Sequence, residues 1–388
     1  MTILGIALIN QIRTGGDRRY LELLETLAQR GNKVFVIMNS YLDYKPNYIT
    51  KIEIPVKYVR HRFPPASYLF KKSVKKHFDN IISSAGGKLN IDFIHIHGDI
   101  YLKSAIYIKK KINKPLFYAS RNNDIDRAKV VRSGGELSFS KYMLSLFTSF
   151  IERHREKQIA KYAELITFQY PSDRDSSISR TKASADKTVI ITGNIGEPRC
   201  TPEWKNKNKS ESLSKIVCVG ATSITKGFVI LLRVLKCLKE RGFNNLHVSL
   251  LGRFTDDKLV KLIEKYNLTD MISLEGFVDP FPFLASHDLL LYPILFDAYP
   301  DAVLEALHAG CPVIASYAGG LPDMLHYPEI LFNQKNIEQI ADRIQLCITD
   351  PNFYKLIREL CAKRVDIHVF DWESQFEKAM SDYLKNNA

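Results

Sequence analysis

Short apolar runs rich in β-branched and aromatic residues alternate along the chain with stretches whose apolar positions recur every three or four residues. Residues 2–9 (TILGIALI) read as a buried strand. Between Asp17 and Arg30 the positions Tyr20, Leu23, Leu24, Leu27 and Ala28 share one helical face, and Gly31 ends the helix. The next strand is 33–38 (KVFVIM), and the pattern predicts others at 92–97, 115–120 and 164–169. The rhythm breaks over 172–212, a region rich in Ser, Lys, Asp and Pro that ends in the polar linker EWKNKNKSES (203–212). It restarts with strands at 215–220, 246–252, 271–276, 288–294 and 312–316, and with helices at 226–241 and 300–309. Such repetition predicts the α/β class, with two open parallel-sheet domains in tandem, joined near 195–213. Ligands of these sheets bind at the carboxyl ends of the strands, so the expected active site is a cleft between the two halves.

Composition narrows this picture little. With 45% hydrophobic and 25% charged residues over 388 positions, the chain is neither disordered nor a disulfide-stapled miniprotein. Its six cysteines (Cys200, Cys218, Cys237, Cys311, Cys347 and Cys361) lack the paired spacing of a zinc site and read as core residues in a reducing compartment. The N-terminal apolar run lacks a preceding basic segment and a following cleavage site, so it is expected to be a first strand and not a signal peptide. The run YMLSLFTSFI (142–151) is about half of the roughly 20 residues that span a bilayer. The expected location is the cytoplasm, either free or peripheral on the inner face of the plasma membrane. Charge is more informative. Of the net +13, residues 1–200 hold 34 basic against 18 acidic side chains, whereas 201–388 hold 21 against 24.

Candidate chemistry concentrates in 288–325, DLLLYPILFDAYPDAVLEALHAGCPVIASYAGGLPDML. Pro300 suits a first helical turn, Asp301 the positive helix start and Gly310 the exit. Asp297 precedes this helix and Glu305 lies in its second turn, and such carboxylates can accept hydrogen bonds from the hydroxyls of a sugar. The segment resembles the acid–x7–acid motif of retaining GT-B glycosyltransferases of family 4, followed by their EAxxxGxPVIAS and GGxPE-like runs. Here these are Asp297–x7–Glu305, Gly310, Pro312–Ser316 and Gly319-Gly320-Leu321-Pro322-Asp323. The first acid is Asp where most members have Glu.

The resemblance covers nearly the whole chain. VGATSITKG (219–227) is similar to the family's donor-phosphate element, with Gly220 and Lys226 in place and Ala221 where an arginine is expected; Arg253 is the candidate substitute. Thr14-Gly15-Gly16 resembles the family's glycine loop, where positive φ and a helix start favour an anion. DFIHIH resembles DxxHxH, ending on His97, and PLFYASRNNDIDR resembles the following strand and loop, with Arg121 where many relatives place a histidine. His97, Arg121, Asn122 and Asp124 are thus the acceptor-side candidates. Asp124-x-Asp126 has the form of a metal-binding pair of another transferase fold, but the resemblance implies a metal-independent enzyme without a cofactor.

The implied architecture is GT-B, with two Rossmann-like domains facing each other across a cleft. Residues 1–195 would form the acceptor-side domain, with helix 372–385 packing back on it, and 196–370 the nucleotide-sugar domain. The implied reaction moves a hexosyl group from a UDP- or GDP-sugar to a hydroxyl of a glycan or a polyprenyl- or other lipid-linked acceptor, with retention, in bacterial surface-polysaccharide synthesis (lipopolysaccharide, O-antigen or capsule). Asp297 and Glu305 are the expected catalytic pair; Gly15, Gly16, Gly220, Lys226, Arg253 and the run Ala298, Tyr299, Pro300 and Asp301 complete the donor site. A same-fold epimerase and an inactive sugar-nucleotide binder are the alternatives. A nucleic-acid-binding protein would account for the basic half but leaves the acid–x7–acid region unexplained, so nucleic acid is not an expected partner. The stretch 67–82 places Phe70, Val74, Phe78 and Ile81 on one face beside Lys71, Lys72, Lys75 and Lys76, an amphipathic basic helix suited to an anionic membrane or to an ordinary core; KKKINK (109–114) and RHR (60–62) add charge.

Overall fold

The computed structural model describes residues 1–9, 12, 15–56, 65–120, 123–133, 139–192, 212–220, 227–254, 257–368 and 371–387. The chain divides into two compact units. Met1–Ile125, Met143–Thr192 and Trp372–Ala388 form the first, and Asp126–Tyr142 and Gly193–Asp371 the second. Residues 126–142, expected in the N-terminal domain, thus group with the second unit.

Each unit is built on one parallel sheet. The first has seven strands: β1 (Thr2–Ala7), β2 (Lys33–Asn39), β3 (Thr50–Ile54), β4 (Phe93–His97), β5 (Leu116–Ala119), β6 (Leu165–Phe168) and β7 (Thr188–Ile190). Their spatial order is β3-β2-β1-β4-β5-β6-β7. The second has six: β8 (Lys215–Val219), β9 (His247–Leu251), β10 (Ile272–Gly276), β11 (Leu289–Tyr292), β12 (Val313–Ser316) and β13 (Leu331–Phe332), in the order β10-β9-β8-β11-β12-β13. The expected α/β class, with two Rossmann-like domains, is what the chain adopts. The central strands are apolar on both faces, because helices cover both sides: Ile3, Leu4, Ile6, Ile94, Ile96 and Leu116 have no exposed surface in the first sheet, nor do Val217, Leu290, Leu291 and Ile314 in the second. The strand order reverses between β1 and β4 and again between β8 and β11, which makes these the topological switch points.

Register at the amino ends is set by carboxylates. Asp92, just before β4, accepts the Thr2 N–H at 2.7 Å, tying the start of β1 to its neighbour. Asp288, just before β11, accepts the N–H groups of Ser214 and Lys215 at 2.9 and 2.8 Å, doing the same for β8. Glu164 accepts the Leu116 N–H at 2.8 Å and pairs with Lys109 at 2.6 Å.

The helix Trp372–Asn386 belongs to the first unit, burying Trp372, Phe376 and Met380. Glu377 accepts from Asn32 at 2.6 Å, and the Phe376 ring meets His95 edge-on. The stretch 67–82 is two helices, Pro65–Lys76 and Phe78–Ser84, parted at His77. Their apolar face is consumed by the core. Phe70, Val74, Phe78 and Ile81 are buried, Phe70 against Tyr101 and Phe78 against Tyr107. The lysines of this segment therefore decorate a packed helix. RHR (60–62) lies outside the described residues. Among the described residues no helix is long and apolar enough to cross a membrane.

A half-buried ionic knot ties the long helix Phe139–Tyr162 to the first unit. Arg155 donates to Asp99 at 2.6 Å and to Glu152 at 2.8 Å. Burial, then the neighbouring Asp99 charge, pushes the Glu152 carboxyl up to about 8, with Arg155 opposing, so Glu152 is protonated and hydrogen-bonded to Asp99. An acid whose folded pKa is raised keeps a proton that the unfolded chain releases, so this group costs stability as pH rises from its ordinary value of 4.5 towards about 8. Glu152→Gln, which keeps the donor to Asp99, is expected to flatten the fall in melting temperature over that window, as thermal denaturation across a pH series reads.

A second constraint fixes the switch point of the second sheet. Gly227, at the start of helix Phe228–Glu240, has φ of 71°, and a Cβ there would stand 1.7 Å from the Pro293 carbonyl oxygen. Gly227→Ala is expected to cost about 2–5 kcal/mol, from left-handed strain plus overpacking against the main chain. The control is Gly242→Ala, where φ is 92° but no atom lies within 4 Å, so only the strain of about 1–2 kcal/mol applies. Urea unfolding of the two variants tests the difference.

Candidate functional site

The loop from β11 to helix Asp301–His308 lies at the carboxyl end of the second sheet, beside the loop that leaves β8. Pro293 follows β11 directly and packs against Gly227 as described. Asp297 is half-buried and is held at three points. Its side chain accepts from the Tyr292 hydroxyl at 3.2 Å, its carbonyl accepts the Gly320 N–H at 3.1 Å, and Gly319 presses on the same carbonyl. A Cβ on Gly319 would stand 1.8 Å from that oxygen, and its φ of 57° suits glycine. The GG pair after β12 is thus a clamp on the Asp297 backbone.

Beyond Asp297, Ala298, Tyr299 and Pro300 are buried, which makes this stretch rigid. Pro300 is extended, with φ −70° and ψ 125°, and Asp301 opens the helix in its first turn. Glu305 is only 6% exposed, one turn further on. Two carboxylates therefore flank a helix start. One is set by a tyrosine and a glycine clamp, and the other is fixed by burial in a medium where a hydrogen bond is worth more than in water.

Gly220 follows β8 and donates its N–H to Leu251 of β9 at 2.9 Å. Arg253 comes two residues after β9, and its guanidinium lies 4.6 Å over the exposed Phe277 ring. Gly220, Gly227, Arg253, Asp297–Asp301 and Glu305 thus gather at the carboxyl ends of neighbouring strands β9, β8 and β11. Ala221 and Lys226 lie outside the described residues.

The first sheet gathers its own candidates in the same way. Gly15 and Gly16 open the helix Gly15–Gln29 after β1, with Asp17 in the first turn. His97 ends β4, its ring 5.3 Å from Tyr20. Asp124 opens helix Asp124–Ser133 after β5. Thr14, Arg121 and Asn122 lie outside the described residues. His95 is a core residue. It is 1% exposed between the Tyr20 and Phe376 rings, and burial pushes its pKa down to about 3, so it is neutral. Asp126 pairs with Lys129 at 2.8 Å, and among the described residues no group of three His, Cys, Asp or Glu side chains has the geometry to hold a metal.

Sequence reasoning missed Tyr292, the donor to Asp297, because a tyrosine ending a buried strand has no pattern to mark it. The Glu152–Asp99–Arg155 knot was missed for a different reason, since Asp99 is 56 residues away from Arg155 in sequence.

Residues 201–364 match the family described as Glycosyl transferases group 1. The Staphylococcus aureus protein named Capsular polysaccharide biosynthesis glycosyltransferase CapH is 29% identical over 115 residues, 29% of this chain and 32% of that protein. The chain aligns with about half or less of the length of the curated relatives it matches. Sucrose-phosphate synthase of Thermosynechococcus elongatus superposes with a TM-score of 0.78 at 17% identity, covering 100% of both chains. Anabaena Alr3699/HepE, solved in complex with UDP, superposes with a TM-score of 0.72 at 16% identity, covering 98% of this chain and 100% of that one. At such identities the likeness is one of fold. The clamped acid–x7–acid segment falls inside the stretch that matches this family, and the chain's two Rossmann-like units have the GT-B fold of these structural neighbours.

Proposed function

We propose that the chain is a retaining, metal-independent glycosyltransferase that moves a hexosyl group from a UDP- or GDP-sugar to a hydroxyl of a glycan or lipid-linked acceptor in bacterial surface-polysaccharide synthesis. The observation that carries this reading is the Asp297–Glu305 pair at a helix start within the matched stretch, Asp297 held by Tyr292, Gly319 and Gly320 and Glu305 by burial. A capsular relative and a UDP-bound neighbour agree with it.

In this reading Glu305 accepts hydrogen bonds from the ribose hydroxyls, and Asp297 with the Ala298–Asp301 backbone orients the sugar. The bond from the anomeric carbon to the diphosphate oxygen breaks, and its electron pair leaves with the diphosphate. Backbone N–H groups at the glycine-bearing helix starts, together with Lys226, receive that charge as preorganised donors; Arg253 supplies a second cation in place of the arginine replaced by Ala221. The acceptor oxygen bonds to the same face of the oxocarbenium-like carbon, and its proton passes to the departing phosphate oxygen. Neither acid forms a covalent intermediate. His97, Arg121, Asn122 and Asp124 contact the acceptor. The protein works in the cytoplasm, at the inner face of the plasma membrane.

The test is a thermal-shift screen against UDP, GDP, ADP, CMP and their sugar conjugates with EDTA present. Ligand at 100 times its dissociation constant stabilises by about 2.7 kcal/mol. One nucleotide is expected to raise the melting temperature, and Glu305→Ala to reduce that rise. No shift from any of them would overturn the donor reading and return weight to an inactive fold relative or to nucleic acid. With the donor known, Asp297→Asn is expected to lower kcat by about 100-fold or more while nucleotide still binds, because misplacing the sugar costs rate more than affinity. Full turnover of that variant would remove Asp297 from the mechanism, and an epimerised sugar nucleotide as product would replace the transferase reading.

A further inference from the structure

The helix Phe139–Tyr162 presents one continuous stripe to solvent. Phe139, Met143, Leu146, Phe150, Arg153, Lys157 and Lys161 follow one another at spacings of three or four, so they lie along a single face. All seven are exposed. The first four are large and apolar, and exposures of 81% at Phe139 and 71% at Phe150 are far beyond what a packed helix face leaves open. Phe147 beside them is 59% exposed. The last three are cations. On the opposite side Ile159 is buried, Arg155 enters the knot with Asp99, and Glu156 accepts a bidentate pair from Arg180 at 2.8–3.2 Å. The C-terminal half of the helix is therefore anchored by one face with its cations outward, whereas in the N-terminal half Tyr142, Leu144 and Phe147 are exposed beside the stripe as well.

We infer that this outward stripe is a docking face for an anionic lipid surface. The apolar stretch 139–150 is about 18 Å of helix, too short to cross the hydrocarbon but suited to lying in the interface. The cations that continue the same face match anionic headgroups, and the N-terminal half as a whole supplies an attractive field. The same complementarity disfavours a second copy as the occupant, because a pair of these stripes would bring like charges near each other. The basic helix Pro65–Lys76 is the weaker candidate, since Phe70 and Val74 are spent on the core and only Tyr68 and Leu69 stand exposed beside its lysines. The inference deepens the proposed function by saying where a lipid-linked acceptor is met, but docking is read without turnover and stands or falls apart from the donor.

The experiment is flotation of the full chain with phosphatidylcholine vesicles, with and without phosphatidylglycerol, at low salt. Retention is expected only on the anionic vesicles. Phe147→Asp/Phe150→Asp, exposed positions whose change leaves the melting temperature in place, is expected to abolish it. Lys157→Glu/Lys161→Glu is expected to reduce it by about 25-fold or more, at roughly 5-fold for each cation removed. Lys72→Glu/Lys76→Glu on the other helix is expected to have a small effect. No retention of the native chain overturns the inference, as does retention that the Phe147 and Phe150 changes leave intact. A dimer by light scattering that Phe150→Asp dissolves, with no vesicle binding, assigns the stripe to a second copy instead. The nucleotide thermal shift of the same preparations separates loss of docking from loss of the donor site.

Discussion

The loop leaving β11 is held by contacts to its own main-chain carbonyls. The Pro293 oxygen meets Gly227 and the Asp297 oxygen meets Gly319, each at a separation where a Cβ would overlap it. Neighbouring strands lie about 4.8 Å apart, so loops leaving β8, β11 and β12 start out closer than layers of side chains can pack. Glycine removes the obstruction, and its tolerance of positive φ lets the chain turn there at the same time. The Gly320 N–H then satisfies the Asp297 carbonyl. A carboxylate at that loop is consequently fixed by backbone geometry on one side and by the Tyr292 hydroxyl on the other. Preorganisation of this kind suits a group that must hold a ligand in one orientation, because little has to move when the ligand arrives.

The two units solve the opposite edge of their sheets in a common way. Asp92 precedes β4 and Asp288 precedes β11, and each takes the first N–H groups of the strand beside it. These carboxylates pin the strands that flank each switch point at their amino ends. The carboxyl ends are thereby left to glycines and short helix starts, where backbone N–H groups point outward. The asymmetry between a tied end and an open end is a property of the fold, and ligand chemistry follows from it.

Much of this was legible in the sequence because central strands of a parallel sheet must be apolar on both faces. Ten runs marked strands, and each corresponds to one. The three strands that went unmarked, Thr50–Ile54, Thr188–Ile190 and Leu331–Phe332, are all at sheet edges. The last two are too short to form a run, Thr188–Ile190 is half-exposed throughout, and Thr50–Ile54 alternates, so none leaves the signal of a buried strand. The break at His77 escaped notice because the apolar spacing continues through it. At the site, the acids and glycines stood out through their resemblance to a family motif and not through spacing alone. What each glycine touches could not, since Gly319 and Asp297 meet only once β11 and β12 are side by side.

Charge is the feature that sequence reading located least well, and the reason is physical. Composition places an excess of cations in the first 200 residues but does not say which are already spent. Arg155, Arg180 and Lys109 are consumed by Asp99, Glu156 and Glu164 inside the unit. Arg153, Lys157 and Lys161 alternate with Arg155 and Glu156 along helix Phe139–Tyr162 and face outward. A long-range field depends on the sum of all these charges and decays over about 10 Å in ordinary salt, so it can draw a chain to a surface without choosing a face. Contact requires apolar groups beside the cations, and the two amphipathic helices differ in that respect. Helix Pro65–Lys76 has given its apolar face to the core, whereas Phe139–Tyr162 keeps Phe139, Met143, Leu146 and Phe150 in water. Burial, which periodicity alone does not reveal, decides which of the two segments keeps more of its apolar groups in water.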